Sequence, residues 1–176
     1  MAKDVVEQLV SLLRSAEVVP RLDASRVVRS TRYDPFYRAC TVLLTLAVCS
    51  SGEGKRSLNH QLLRLYEFVA VNSGLVAPLE AWVKARVGGQ LVPLEDWATF
   101  PSGYAGETMH EAVVTYLLVS GEIVRDGTKM VRPEDPPRTP VSAAVESGLD
   151  GTIFQSEVAT LRRLRALPLR LNMLAI

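Results

Sequence analysis

The chain has 176 residues, of which 48% are hydrophobic and 22% charged, and a formal net charge of +1. That length fits one domain with additional arms and is enough to bury a substantial core. So small a charge points toward neither nucleic acid nor an acidic substrate, so any such contact has to come from a local cluster.

In chain order, residues 4 to 16 place Val5, Val6, Leu9, Val10, Leu12 and Leu13 at helical spacing, with Asp4, Glu7, Gln8 and Arg14 on the other side. This predicts an amphipathic N-terminal helix within residues 1–18. Pro20 ends that helix, and residues 19–34 form a basic connector that carries Arg21, Arg26, Arg29 and Arg32. In DPFYRACTVLLTLAVCSS, Asp34 is an N-cap and Pro35 a first helical residue. The run from Phe36 to Val48 is apolar nearly all round, which predicts the most buried helix. Gly52 and Gly54 follow it, and Ser57 is expected to cap the next helix, SLNHQLLRLYEFVAVNSG, with Leu58, Leu62, Leu65 and Val69 on its apolar face. PLEAW at 78–82 and PLEDW at 93–97 read as two similar helix starts. ETMHEAVVTYLLVSG predicts a helix with Met109, Val113, Tyr116 and Leu117 on one side. EIVRDGTKMV predicts a hairpin turning at Asp126-Gly127, with Ile123 facing Met130 and Val124 facing Lys129. Residues 132–151, with Pro133, Pro136, Pro137 and Pro140, read as a linker. Residues 152–176 read as a C-terminal helix and an extended tail: Thr152 and Gln155 make a weak capping box, Phe154, Val158 and Leu161 share one side, and Leu167, Leu169, Leu171 and Met173 alternate with polar residues.

The fold class is therefore mainly α with a small β-hairpin. Residues 35–131 form a winged-helix-like domain, and helical extensions stand at both ends.

No reactive constellation emerges from the residues. SSGEGKRS has the flavour of a phosphate-binding loop, but Cys49 stands where the pattern requires glycine and Arg56 where it requires serine or threonine. Its backbone amides remain an anion-binding alternative to a plain helix-helix turn. His60 and His110 belong to no metal-ligand or nucleophile motif, and His110 reads as a surface or helix-packing residue. The carboxylate pairs Glu95-Asp96 and Glu134-Asp135 sit beside prolines and read as caps and solubilising charge. Cys40 and Cys49 match no disulfide or zinc spacing and read as buried thiols of a reducing cytoplasm. The N-terminus lacks a signal-peptide pattern, and no apolar run reaches the roughly 18 to 20 residues of a membrane span. A cytoplasmic protein without cofactor, metal, catalytic residues or membrane partner is expected.

A winged helix that reads DNA should offer basic or amide side chains from the helix before the hairpin. Here that helix offers Glu107, Thr108, His110, Glu111 and Thr115, which favours a protein-binding role. The candidate nucleic-acid contacts are Arg125, Lys129 and Arg132 on the hairpin and Arg162, Arg163 and Arg165 near the C-terminus, with Arg170 beyond them. The candidate partner-binding residues are Val6, Leu9 and Leu13 in the first helix and Phe154, Val158, Leu161, Leu169, Leu171 and Met173 at the other end. They bury themselves either on the chain's own core or on another subunit.

The segments PFYRACTVLLTLAVCSSG, SLNHQLLRLYEFVAVNSG and HEAVVTYLLVSGEIVRDGTKMV resemble, in order and size, the small middle components of bacterial ABC-three-component systems, which include the anti-phage Lamassu type. The resemblance covers about residues 35 to 131 and loosely the C-terminal helix, and it carries no catalytic signature. It implies a non-catalytic adaptor, kleisin-like in role, that links an SMC-like ABC ATPase to an effector subunit. DNA would be touched within that assembly if at all. The alternative is a winged-helix transcription regulator acting as a homodimer. A small enzyme using His110 is a third and weaker reading.

Overall fold

The computed structural model describes residues 34–50, 57–90, 105–149 and 153–169, with only the backbone of residues 105–108. The expected N-terminal helix, the expected connector up to residue 33, residues 51–56, PLEDW and residues 170–176 lie outside these residues.

Helix α1 (Pro35–Cys49) is the axis of the structure, and α2, α4, α5 and α6, introduced below, all pack against it. It starts where the sequence predicts. Asp34 Oδ1 accepts from the amides of Phe36 and Tyr37 at 2.8 and 3.2 Å, and Pro35 gives up no useful donor in the first turn. From Arg38 to Leu46 every residue is buried. Within that wall Thr41 and Thr45 satisfy their hydroxyls by donating to the carbonyls of Tyr37 and Thr41, at 2.9 and 2.8 Å. Both thiols are buried, Cys40 and Cys49 alike, and burial pushes each up to about 12.

Ser57 does not cap the next helix. Ser57–Asn59 is a strand, β1, and α2 (His60–Val71) begins after it, with Asn59 Oδ1 accepting from the Gln61 amide at 2.9 Å. The physical reason lies in Leu58. As a strand residue it sits opposite Met130 and reaches the core, whereas Leu62 on the predicted apolar face is only half-buried and Leu63 takes the buried place. A 3-10 turn at Ser73–Leu75 joins α2 to α3 (Val76–Val87), the two helical stretches being bent by 112°. PLEAW falls inside α3, where Pro78 is third in the helix and its missing amide is among the unbonded first-turn donors. Among the described residues no single helix is long and apolar enough to cross a membrane.

Helix α4 (Ala105–Val119) buries His110, Val113, Val114 and Leu117, while Met109 and Tyr116 pack at the margin of the core. It ends on Gly121, whose φ of +77° is the left-handed conformation of a helix C-terminus. The chain then turns back, and the amide of Ile123 donates to the carbonyl of Leu117 at 3.2 Å.

Strands β2 (Val124–Asp126) and β3 (Lys129–Val131) make the hairpin, but in a register two residues from the one expected. Val124 faces Val131, Arg125 faces Met130 and Asp126 faces Lys129. The turn is therefore Gly127-Thr128. Gly127, with φ of +57°, stands first of the two central residues, where a II′ turn requires glycine, and Asp126 pairs across the strands with a lysine. Ile123 is freed from the ladder and is fully buried under α4. Strand β3 also pairs antiparallel with β1, so the sheet order is β1-β3-β2.

The expected linker is half helix. After the prolines, α5 (Pro140–Leu149) packs on α1 and buries Val141 and Val145. Thr139 and Ser142 cap it reciprocally: the Thr139 amide donates to Ser142 Oγ at 2.9 Å and the Ser142 amide to Thr139 Oγ1 at 3.2 Å. This is a capping box with serine in the place of glutamate. Helix α6 (Gln155–Arg165) packs on α1 and α2, with Val158, Leu161 and Leu164 buried. Its start carries no side-chain cap at Phe154. The Phe154 ring instead lies under α5, where Gly148 leaves room for it: a Cβ there would come within 2.4 Å of the ring. Tyr37 fixes the other side, its hydroxyl donating to Glu157 at 2.7 Å.

Candidate functional site

The principal polar constellation lies inside the helices. Arg38 is the lone charged residue of α1, Glu67 is the lone acid of α2, and the fold brings them together. Arg38 grips Glu67 with two prongs, one terminal guanidinium nitrogen at 2.7 Å from Oε2 and Nε against Oε1. Glu67 is fully buried and Arg38 almost so. His110 of α4, also buried, places Nδ1 at 3.3 Å from the same Oε2. An ionised carboxylate only accepts, so the Nδ1 that faces it is the donor. Nε2 is buried and meets no hydrogen-bond partner among the described residues.

The string continues outward. The His60 ring, at the first residue of α2, lies against the His110 ring with centroids 5.7 Å apart. His60 Nε2 stands 3.9 Å from Glu111 Oε1 at the exposed end. The His60 backbone amide donates to the Thr128 carbonyl in the hairpin turn at 3.1 Å. Its imidazole is held below its ordinary value of 6.5, first by burial and further by His110, Arg64 and Arg125, with Glu111 opposing.

A second buried carboxylate, Glu122, precedes the hairpin and accepts from the Thr139 hydroxyl at the start of α5. Burial first, and then this carboxylate, raise the Tyr116 hydroxyl above its ordinary range. Both carboxylates cross-link elements distant in sequence. Glu67 is engaged by a guanidinium and an imidazole, an arrangement that orients helices and holds charge in a dry place. Among the described residues no group of three or more His, Cys, Asp or Glu side chains is placed to hold a metal ion.

The predicted contact residues divide. Phe154, Val158 and Leu161 are in the chain's own core, and Leu169 is buried too, so these four have no free apolar face for another subunit. Val6, Leu9, Leu13, Leu171 and Met173 lie outside the described residues. On the hairpin Arg125 and Lys129 are exposed, Arg125 donating from Nε to the Gly127 carbonyl at 3.1 Å. Arg132 is withdrawn from that surface, being 3% exposed. On α6, Arg162, Arg163 and Arg165 all face outward. Arg163 is engaged there by Glu80 of α3, both guanidinium prongs lying within 3.1 Å of the carboxylate.

Sequence reasoning passed over the Arg38–Glu67–His110 string. Its signal was partial: Arg38, the single charge of an apolar helix, has to find a countercharge, whereas Glu67 shares α2 with Arg64. The signal for α5 was also present in Thr139-Pro140, a cap followed by a first-turn proline.

Comparison with protein-family models, with curated proteins and with solved structures finds no match.

Proposed function

We propose that this chain is a non-catalytic adaptor subunit that links an SMC-like ABC ATPase to an effector in a bacterial anti-phage or anti-plasmid defence complex. The observation that carries the proposal is the order of its parts. A buried helix, a short strand, further helices and a hairpin whose second strand pairs back on β1 follow one another in an order that supports a winged-helix body. The sequence resemblance described above supports the adaptor role. The packing of α6 shifts the proposed partner contacts to Val6, Leu9 and Leu13 in the N-terminal segment and to Leu171 and Met173 in the tail. Replacing Leu9 and Leu13 together with aspartate is expected to release a large ATPase partner from affinity-purified chain co-expressed with its flanking-gene products. The far-ultraviolet circular dichroism should stay unchanged. Retention of the ATPase by the double variant overturns this assignment.

A second reading, a winged-helix DNA-binding regulator acting as a homodimer, is favoured by the exposed pair Arg125 and Lys129 at the hairpin. On that reading the purified chain alone shifts duplex DNA in a salt-dependent manner, and Arg125→Ala with Lys129→Ala weakens the shift across sequences alike. Absence of any shift at low salt removes it.

A further inference from the structure

We propose that the His60–His110 contact is an acid-sensitive latch: with the His60 ring neutral it holds the hairpin turn, the start of α2 and α4 together, and uptake of a proton by His60 releases the hairpin. The inference rests on geometry and stands apart from the adaptor reading.

His60 is a junction of three elements. Its ring packs on His110 of α4, its backbone amide holds the Thr128 carbonyl of the hairpin, and it opens α2. The neutral state suits this place. The Nε2 atom of His60 is shielded from water and has no hydrogen-bond partner among the described residues, which a lone pair tolerates far better than an added N–H⁺.

The charges around His60 push the same way. Arg64 faces it from its own helix and Arg125 from β2, and the positive end of the α2 dipole lies at its backbone. His110 faces it from α4, backed by Glu67 of α2 and Arg38 of α1. Glu67 is already held by Arg38. Glu111 of α4 is the one attractive group among these and the largest single charge effect on His60, but at 3.9 Å on a half-exposed side chain it does not outweigh burial together with the opposing charges. A protonated ring gains most by swinging into water. That movement takes the His60 backbone with it, and so loosens its bond to Thr128 and the end of β1 that pairs with Lys129.

The sign follows from linkage. The folded state holds His60 below 6.5 and the unfolded chain does not, so the latch contributes its full stability above pH 6.5 and loses it as pH falls below that.

The test is amide hydrogen exchange of Met130 and Val131 on the full chain between pH 7.5 and 5.5, corrected for the intrinsic pH dependence of exchange. In the native protein, protection is expected to fall by up to about tenfold per pH unit below 6.5. In His60→Gln, which keeps a neutral polar side chain, it should stay flat. A flat native profile, or the same slope in His60→Gln, overturns the latch. Should His60→Gln fail to fold, a proton NMR titration of the native His60 Cε1–H decides the matter. A midpoint below 6.5 supports the latch and one at or above 6.5 overturns it.

Discussion

Replacing Glu67 with glutamine is expected to lower the stability of the fold by about 3 to 5 kcal/mol, read as a reduced urea midpoint with an unchanged slope. Glutamine preserves the shape and leaves a carbonyl for the His110 N–H. What it removes is the negative charge that permits the Arg38 guanidinium to lie in the core. A cation 5% exposed and stripped of its carboxylate costs far more than an exposed pair does. The second half of the prediction is a rescue. Arg38→Met added to Glu67→Gln should recover most of the loss, because the pair offsets its own desolvation only when both members are present. Two losses that simply add would show that Arg38 and Glu67 are not energetically coupled.

Leu161→Ala is expected to cost about 2 to 5 kcal/mol, measured in the same way. Leu161 is fully buried between α6 and α1, where its carbonyl also lies 3.5 Å from the Cys49 sulfur. The residue discriminates between two ideas of the C-terminal helix. A helix whose apolar stripe waits for another protein tolerates alanine with little change in stability and loses the partner. A helix that completes the core loses stability first. A cost within about 0.5 kcal/mol, the usual effect of a surface substitution, contradicts the packing described for α6.

These two residues also show where the sequence was readable. Helix α1 was legible because three signals agreed: Asp34 at the cap, Pro35 behind it and an unbroken apolar run. The hairpin was legible as a hairpin, but its register was not. Asp-Gly matched a common I′ turn, while the chain uses Gly127-Thr128 as the turn and Asp126 as a strand residue facing Lys129. A shift of the turn by one position moves every pairing, and nothing local in RDGTK separates the two choices. Strand β1 escaped because three residues are too few to show a period, and SLN followed by a helical pattern reads as a cap. Helix α5 was hidden by four prolines counted as one loop, although the last of them opens the helix. The Arg38–Glu67–His110 string was hidden for a different reason. Arg38 alone requires a countercharge, but which residues supply it depends on how α1, α2 and α4 cross, which is a tertiary fact.

The contacts that seal α1 come from the far end of the polypeptide. Tyr37 waits for Glu157, and Cys49 for Leu161. A ribosome adding roughly 5 to 20 residues per second takes on the order of ten seconds to span that interval. Through that time the flank of this strongly apolar segment that α6 will cover is without α6, so α1 is a segment on which a cellular holdase would act.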